Sequence, residues 1–468
     1  MSASVWLSLA LLVPWAAGAL LIAFDGRRRC VAWAAVAALA ATSAAIAALT
    51  VHVVADGAQQ VTTGSWPAGV GIVLHADALG VTFAAITALV MLVAMANEAL
   101  VGVRSRTFPA LMVLLTAGLT GLFFTGDVFN FYVFFEISMM ASYALATYGG
   151  GTRQLRAAVI FAGVNLLGSF LFLISVAGTY RVTGALDMAT VAERMHSGGA
   201  NATLLVAVGF FVAFSVKLGL FPFHFWLPTV YAGTRPAVAA VLSGAVANIG
   251  SYGLVRFGAG MFAEELRFTA TALIVLGLAS ILYGGVVAVS RGDIAETLAY
   301  SAIGQVGYVL VALGIGGPLG LAAAVFYSVV NALNKGVLFL AAGLRGPLVA
   351  AAFAIGAFSV AGVPPAAGFI GKLEVFRAAI AADSPVLVAL LVLGSVLSLV
   401  YMFQIYQRKF WGTDTEPAVV GAAEVSPVPA RVLVAVFAVL VLAVGLWAEP
   451  LAALSEYAAD VFTSGGSR

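Results

Sequence analysis

Apolar runs of about 20 residues follow one another along almost the whole of this 468-residue chain, and they restrict its fold more than any other feature. Such a run, wound as a helix, matches the hydrocarbon thickness of a bilayer. Helical winding also satisfies every backbone N–H and C=O within the segment, where no water is at hand. Hydrophobic residues make up 63% of the sequence and charged residues 9%, with a mean hydropathy of +1.09. Soluble domains carry about 25% charged residues, so this composition places the chain in a lipid bilayer. The net charge of +2 and the lack of a basic run argue against nucleic acid as a partner. His52, His75, His196 and His224 are too scattered for a metal site, and no motif calls for a cofactor. Cys30 has no second cysteine with which to pair.

The first run, Trp6 to Phe24, is followed rather than preceded by arginines (Arg27, Arg28, Arg29), the polarity of a retained anchor and not of a cleaved signal. Further runs lie near 31–53, 76–100, 107–125, 128–148, 155–180, 202–231, 236–257, 267–290, 294–315, 318–344, 348–380, 385–407 and 430–457. The expected fold is therefore an all-α polytopic membrane protein of about fourteen transmembrane helices. With this count, thirteen connecting arginines and lysines fall on one side. Only Arg181, Arg194, Arg256, Arg267 and Arg468 fall on the other. The positive-inside rule makes the first side cytoplasmic and puts both termini outside. Of the longer external segments, 54–75 and 182–201, the second contains DMATVAERMH, which is expected to form a short interfacial helix.

Two spans are interrupted in the same way. The seventh is broken by Gly219, Pro222 and Pro228 just after Lys217, and the twelfth by Gly362, Pro364 and Pro365 ahead of Lys372. Proline removes a helical hydrogen bond, and irregular backbone at membrane depth is tolerated where it lines a cavity. The five-helix spacing of the breaks predicts two inverted repeats. The chain divides accordingly into N-terminal helices (1–106), a first repeat (107–257), a second repeat (258–410) and a C-terminal helix (411–468).

Four charges sit deep in apolar sequence: Glu136, Lys217, Lys335 and Lys372. Each costs about 3 kcal/mol to insert on translocon scales, so each needs a partner, water or a function. Removal from water disfavours a charged amine and a nearby carboxylate favours it, so Glu136 paired with Lys217 makes a switchable proton site. The bland readings are a helix-pairing role for Glu136, a snorkelling Lys217, a packing role for Lys335 and a local ion pair of Lys372 with Glu374 and Arg377. Tyr327, Asn331 and Asn334 share a helical strip with Lys335 and can carry a chain of waters. His224 is either a proton relay or a plain structural histidine.

The segments GDVFNFYVFFEISMMASYAL, VKLGLFPFHFWLPTVYAG, RGDIAETLAYSAIGQVGYVLVALG, NALNKGVLFLAAG and AGVPPAAGFIGKL occur in this order. Together they resemble the antiporter-like membrane subunits shared by respiratory complex I, membrane-bound hydrogenases and the Mrp cation/proton antiporters. The resemblance runs from about residue 75 to 410 and is greatest to the D-type subunits of the Mrp antiporters. The FHFWLPTVYAG block is similar to that branch, and the chain ends soon after helix 14, without the lateral helix or added domain of the larger relatives.

The resemblance implies a transporter subunit of the bacterial plasma membrane that exchanges Na+ for protons, rather than an enzyme. Its expected partners are the other small membrane subunits of the same complex, among them a large homologous antiporter-like subunit. It also implies that Glu136 and Lys217 form the coupled pair, that Lys335 is the central relay and that Lys372 is the terminal site. Relatives often carry a lysine where this chain has Asn248 and histidines where it has Tyr327 and Asn331. The link from Lys217 to Lys335 is then expected to run through water held by Asn248, Ser243 and Ser251. The alternative is a proton-pumping subunit of a complex I or hydrogenase.

Overall fold

The computed structural model describes residues 2–62, 71–195, 199–411 and 426–463; His196 and Arg468 lie outside them. Helices α1 (Ala3–Leu21) and α2 (Arg29–Asp56) lead through an antiparallel ribbon, β1 (Gln59–Thr62) and β2 (Val73–Ala76), to α3 (Ala78–Val101). In the ribbon Gln59 faces Ala76 and Thr62 faces Val73. Next come α4 (Phe108–Phe124), α5 (Val128–Ala146), α6 (Thr152–Thr183) and the short α7 (Met188–Met195). The seventh span is two pieces, α8 (Ala200–Leu218) and α9 (Leu227–Gly233). The eighth is α10 (Pro236–Val241) and α11 (Asn248–Gly260), joined by a π turn at Leu242–Val246. Then follow α12 (Ala263–Phe268), α13 (Ala270–Val289), α14 (Ile294–Ile315) and α15 (Gly317–Ala342). The twelfth span is split into α16 (Pro347–Ala361) and α17 (Ala367–Ala381), and α18 (Pro385–Tyr406), α19 (Val428–Leu446) and α20 (Glu449–Thr463) complete the described helices.

Among the described residues twelve helices are long and apolar enough to cross a membrane, and Phe108–Phe124 and Pro347–Ala361 are shorter apolar helices. Burial sorts them into a centre and a rim. The apolar window of α15 is wholly buried and those of α10–α11 and α14 nearly so, whereas α1, α2, α18 and α19 bury about a third or less. A helix surrounded by protein can carry polar side chains without showing them to lipid, and α15 is the one that carries Lys335.

Both interrupted spans end their first half in the same way. Gly219 (φ 66°) and Gly362 (φ 83°) adopt the left-handed conformation. The next residue then reaches back five positions: Leu220 N–H to Ser215 O at 3.2 Å and Val363 N–H to Phe358 O at 2.9 Å. This is the Schellman closure, which favours glycine because a Cβ is strained at that φ. The bonds Phe221–Pro222 and Pro364–Pro365 that follow are cis.

The helical membrane class holds, and three local details differ from expectation. Segment 54–75 contributes most of the small ribbon, so a little sheet accompanies the helices. The last span does not run unbroken from 430 to 457. It stops at Leu446 and restarts at Glu449, since Pro450 fits the first turn of a new helix and not the interior of a continuing one. The ninth span is also preceded by a separate short helix, α12, ending at Phe268. The helix expected in DMATVAERMH is α7.

Candidate functional site

Lys217 lies in the last turn of α8, 3% exposed. Its ammonium donates to the Met139 thioether and, at 3.5 Å, to Asn165 Oδ1. It lies over the rings of Phe161 at 5.2 Å and Phe135 at 5.7 Å. Glu136 of α5 accepts a hydrogen bond from Ser169 Oγ and is within electrostatic reach of Lys217, but the two make no ion pair. Asn165 and Ser169 are one turn apart on α6, so α6 bridges the carboxylate and the amine. Glu136 is partly exposed. It shares an outer face of α5 with Phe129, Val133 and Met140, which are exposed and at helical spacing from it.

The second cluster joins four helices. Lys335, fully buried on α15, donates to Ser301 Oγ of α14 at 3.0 Å. Tyr401 OH of α18 donates to the same oxygen at 3.1 Å. Gln305, one turn along α14 from Ser301, donates through Nε2 to Tyr401 OH at 3.0 Å and to Ser398 Oγ at 3.1 Å. Its Oε1 accepts from Tyr327 OH of α15. Tyr308 packs against Tyr327 with ring centroids 5.3 Å apart, and the Lys372 ammonium sits 4.9 Å above the Tyr308 ring. Lys372 also donates to Ala361 O at 3.2 Å. It thereby caps the carbonyl end of α16, where the helix dipole favours a cation. Glu374 and Arg377, the neighbours considered for a local ion pair, pair with each other at 2.9 Å.

The remaining predicted residues make no hydrogen bond to these clusters. Asn248 donates to Thr87 Oγ1 and Gly244 O, both at 3.1 Å, and Ser243 bonds back to Ala239 O. Neither is bonded to Lys217 or Lys335. The π turn does bring α10–α11 against α15, since a Cβ on Gly244 would stand 2.9 Å from Ala332 O. Asn331 is buried on α15 beside Lys335, but its side-chain oxygen and that of Asn334 have no protein partner. His224 packs with its ring 4.4 Å from that of Tyr283 and 5.5 Å from that of Phe221, and it makes no hydrogen bond to Lys217.

Comparison with known proteins bears directly on this arrangement. Residues 125–398 match the family model described as NADH:quinone oxidoreductase/Mrp antiporter, TM. The chain belongs to that family. The D-type Na(+)/H(+) antiporter subunit of Alkalihalophilus pseudofirmus is 33% identical over 86% of both proteins. A chain of the Mrp complex from Dietzia sp. DQ12-45-1b superposes with a TM-score of 0.89 at 28% identity, over 99% of this chain and 98% of that one. A chain of respiratory complex I from Thermus thermophilus with bound NADH gives 0.85 at 25% identity, over 99% and 100%.

Within this NADH:quinone oxidoreductase/Mrp fold, the sequence reading picks out the charges and Tyr327 but not Ser301, Gln305, Tyr308, Ser398 or Tyr401. Ser301, Gln305 and Tyr308 recur at i, i+4 and i+7 on α14, and Ser398 and Tyr401 at i, i+3 on α18. That helical spacing in apolar sequence was the available signal. Asn165 and Ser169, an i, i+4 pair on α6, gave the same sign. Another buried acid was also missed. Glu98 of α3 is 4% exposed and accepts from Tyr148 OH at 2.7 Å.

Proposed function

We propose that this chain is the proton-translocating subunit of a multisubunit monovalent cation/proton antiporter of a bacterial plasma membrane, a transporter component and not an enzyme. The supporting relative is named for Na(+)/H(+) antiport. The observation that carries the reading is the polar layer that joins Lys335 to the aromatic floor of Lys372 through Ser301, Tyr401, Gln305 and Tyr327.

In this reading Lys335 releases a proton to water and becomes a neutral amine, and a water-borne proton converts neutral Lys372 to its ammonium. The Gln305 amide donates from nitrogen and accepts at oxygen, so it holds the hydroxyls in order but does not itself pass a proton on. Water must cover that step, and the unpartnered oxygens of Asn331 and Asn334 are acceptors for it. At the other end Glu136 sets the charge of Lys217 through the Ser169–Asn165 bridge. Asn248 and His224 are auxiliary. The partly exposed Glu136 face of α5 is covered by a neighbouring membrane subunit, because a carboxylate facing acyl chains is costly. The matched Schellman breaks support about fourteen spans with inverted repeats over 107–257 and 258–410.

The test is fluorescence dequenching on everted vesicles that carry the assembled complex. Glu136→Ala, Lys217→Ala and Lys372→Ala should each lower Na+-driven proton exchange at least about tenfold, at unchanged assembly. Exchange surviving all three would refute the relay. Disappearance of exchange only when an electron donor is withheld would favour the second reading, a complex I-type pump, which the Thermus thermophilus superposition keeps in play.

A further inference from the structure

A cleft of about 280 Å³ opens between the start of α6, α9 and the α13–α14 turn. Arg153, Arg156, Arg291, Thr229, Glu296 and Tyr300 are among its lining residues. Arg153 and Arg156 project from the first turns of α6 and are exposed, and neither makes an ion pair with a described carboxylate. Two cations there are unfavourable, because the helix N-terminus is itself the positive end of the dipole. Arg291 stacks on the Tyr300 ring at 5.1 Å, and its Nε is buried with no hydrogen-bond partner. Glu296 is the one acid in the lining, against three guanidiniums.

The elements that form this cleft also carry exposed apolar side chains. Leu155 (58% exposed) and Val159 (65%) flank Arg156 on α6, Phe225 (63%) precedes α9, and Val286 (59%) lies a turn and a half before Arg291. A cationic recess at a helix end, with exposed apolar side chains on the same membrane helices, matches one ligand chemistry: a phosphate diester with acyl chains. Arginine suits it because its planar fork binds phosphate oxygens in pairs.

We propose that this cleft binds the headgroup phosphate of an anionic phospholipid of the phosphatidylglycerol class. Arg153, Arg156 and Arg291 hold the phosphate, and the acyl chains lie along Leu155, Val159 and Phe225. Because Thr229 belongs to α9, the bound lipid ties the second half of the broken seventh span to α6 and α14.

The experiment uses the full chain in its assembled complex, purified, delipidated and reconstituted with spin-labelled phosphatidylglycerol or spin-labelled phosphatidylcholine. The wild type should immobilise the phosphatidylglycerol probe preferentially. The combined Arg153→Gln, Arg156→Gln and Arg291→Gln variant should weaken that binding about tenfold, with phosphatidylcholine unaffected. Should the triple variant fail to assemble, Glu296→Gln gives the opposite sign, tighter phosphatidylglycerol binding. Equal retention of the probe by wild type and variants would overturn the proposal. So would displacement of the probe by millimolar inorganic phosphate, which marks a soluble-anion site. Crosslinking of an Arg156→Cys variant to a neighbouring subunit in the intact complex, with the probe excluded, would also overturn it, since the cleft is then a protein interface.

Discussion

Ser301 Oγ receives both Lys335 and Tyr401, and Gln305 ties this pair to Tyr327. Replacing Gln305 by leucine keeps the volume and removes all three contacts, leaving the buried hydroxyls of Tyr327, Tyr401 and Ser398 each short of a bond at a cost of about 1–3 kcal/mol apiece. Gln305→Leu is therefore expected to slow exchange about tenfold or more in the vesicle assay, with the complex still assembled. A wild-type rate would show that the layer is only structural. Ser301, Gln305 and Tyr401 escape the sequence reading for a physical reason. A serine or glutamine in an apolar helix is cheap enough to be common, and whether it faces a lysine depends on how helices from distant parts of the chain rotate against each other. A lysine there is expensive wherever it faces, so the four charges stood out.

Among the elements, the two broken spans were the most legible, since proline and glycine act on their own backbone. Their ends diverge in what a Cβ would strike. On Gly362 it would come within 2.7 Å of the Lys372 Cδ, and on Gly219 within 2.5 Å of the Leu227 Cδ1. Alanine at either site also adopts the left-handed region at a cost of about 1 kcal/mol. Gly362→Ala should consequently reduce exchange by more than its loss of thermal stability explains, because the flexible lysine is pushed from its place. Gly219→Ala should chiefly lower the melting temperature, because it pries α9 from α8. Thermal unfolding of the solubilised complex beside vesicle assays separates the two, and equal behaviour of the variants would contradict it. The split of the last span was not legible in the same way. Its apolar run continues past Trp447, and Pro450 at the second position of a new helix reads locally like a kink in an old one.

Across the whole molecule, one buried ion pair fastens the ends of distant helices. Arg256 of α11 grips Asp77, the N-cap of α3, through two bonds of 2.6 Å. It also donates to Tyr252 OH at 3.0 Å and lies under the Phe462 ring of α20 at 5.5 Å. His75 of the ribbon approaches the same carboxylate at 3.6 Å. Burial alone would raise the Asp77 pKa, but the Arg256 guanidinium and the His75 ring outweigh it and hold the carboxyl well below the usual range. An acid whose folded pKa is depressed stabilises the fold fully above its unfolded value, about 3.9, and loses that contribution only as pH falls toward the depressed one. Asp77→Asn leaves the guanidinium buried and unpaired, which costs about 3–5 kcal/mol. The loss should be the same from pH 8 down to pH 5 when melting is followed across that range; a penalty that fades by pH 6 would mean that the pair titrates there. The sequence reading assigned Arg256 to the external side, where it would have been one positive charge among several.

What the sequence determined by itself is whatever a segment settles with its own backbone and its immediate solvent: runs long enough for lipid, breaks at Pro222 and Pro364, and the expense of Lys217, Lys335 and Lys372 in apolar surroundings. Only the tertiary structure decided which groups face those lysines. Met139 of α5 and Asn165 of α6 meet Lys217, Ser301 of α14 meets Lys335 and Tyr308 of α14 lies under Lys372, and their approach is fixed by packing between helices, over separations that no local rule of chain geometry encodes.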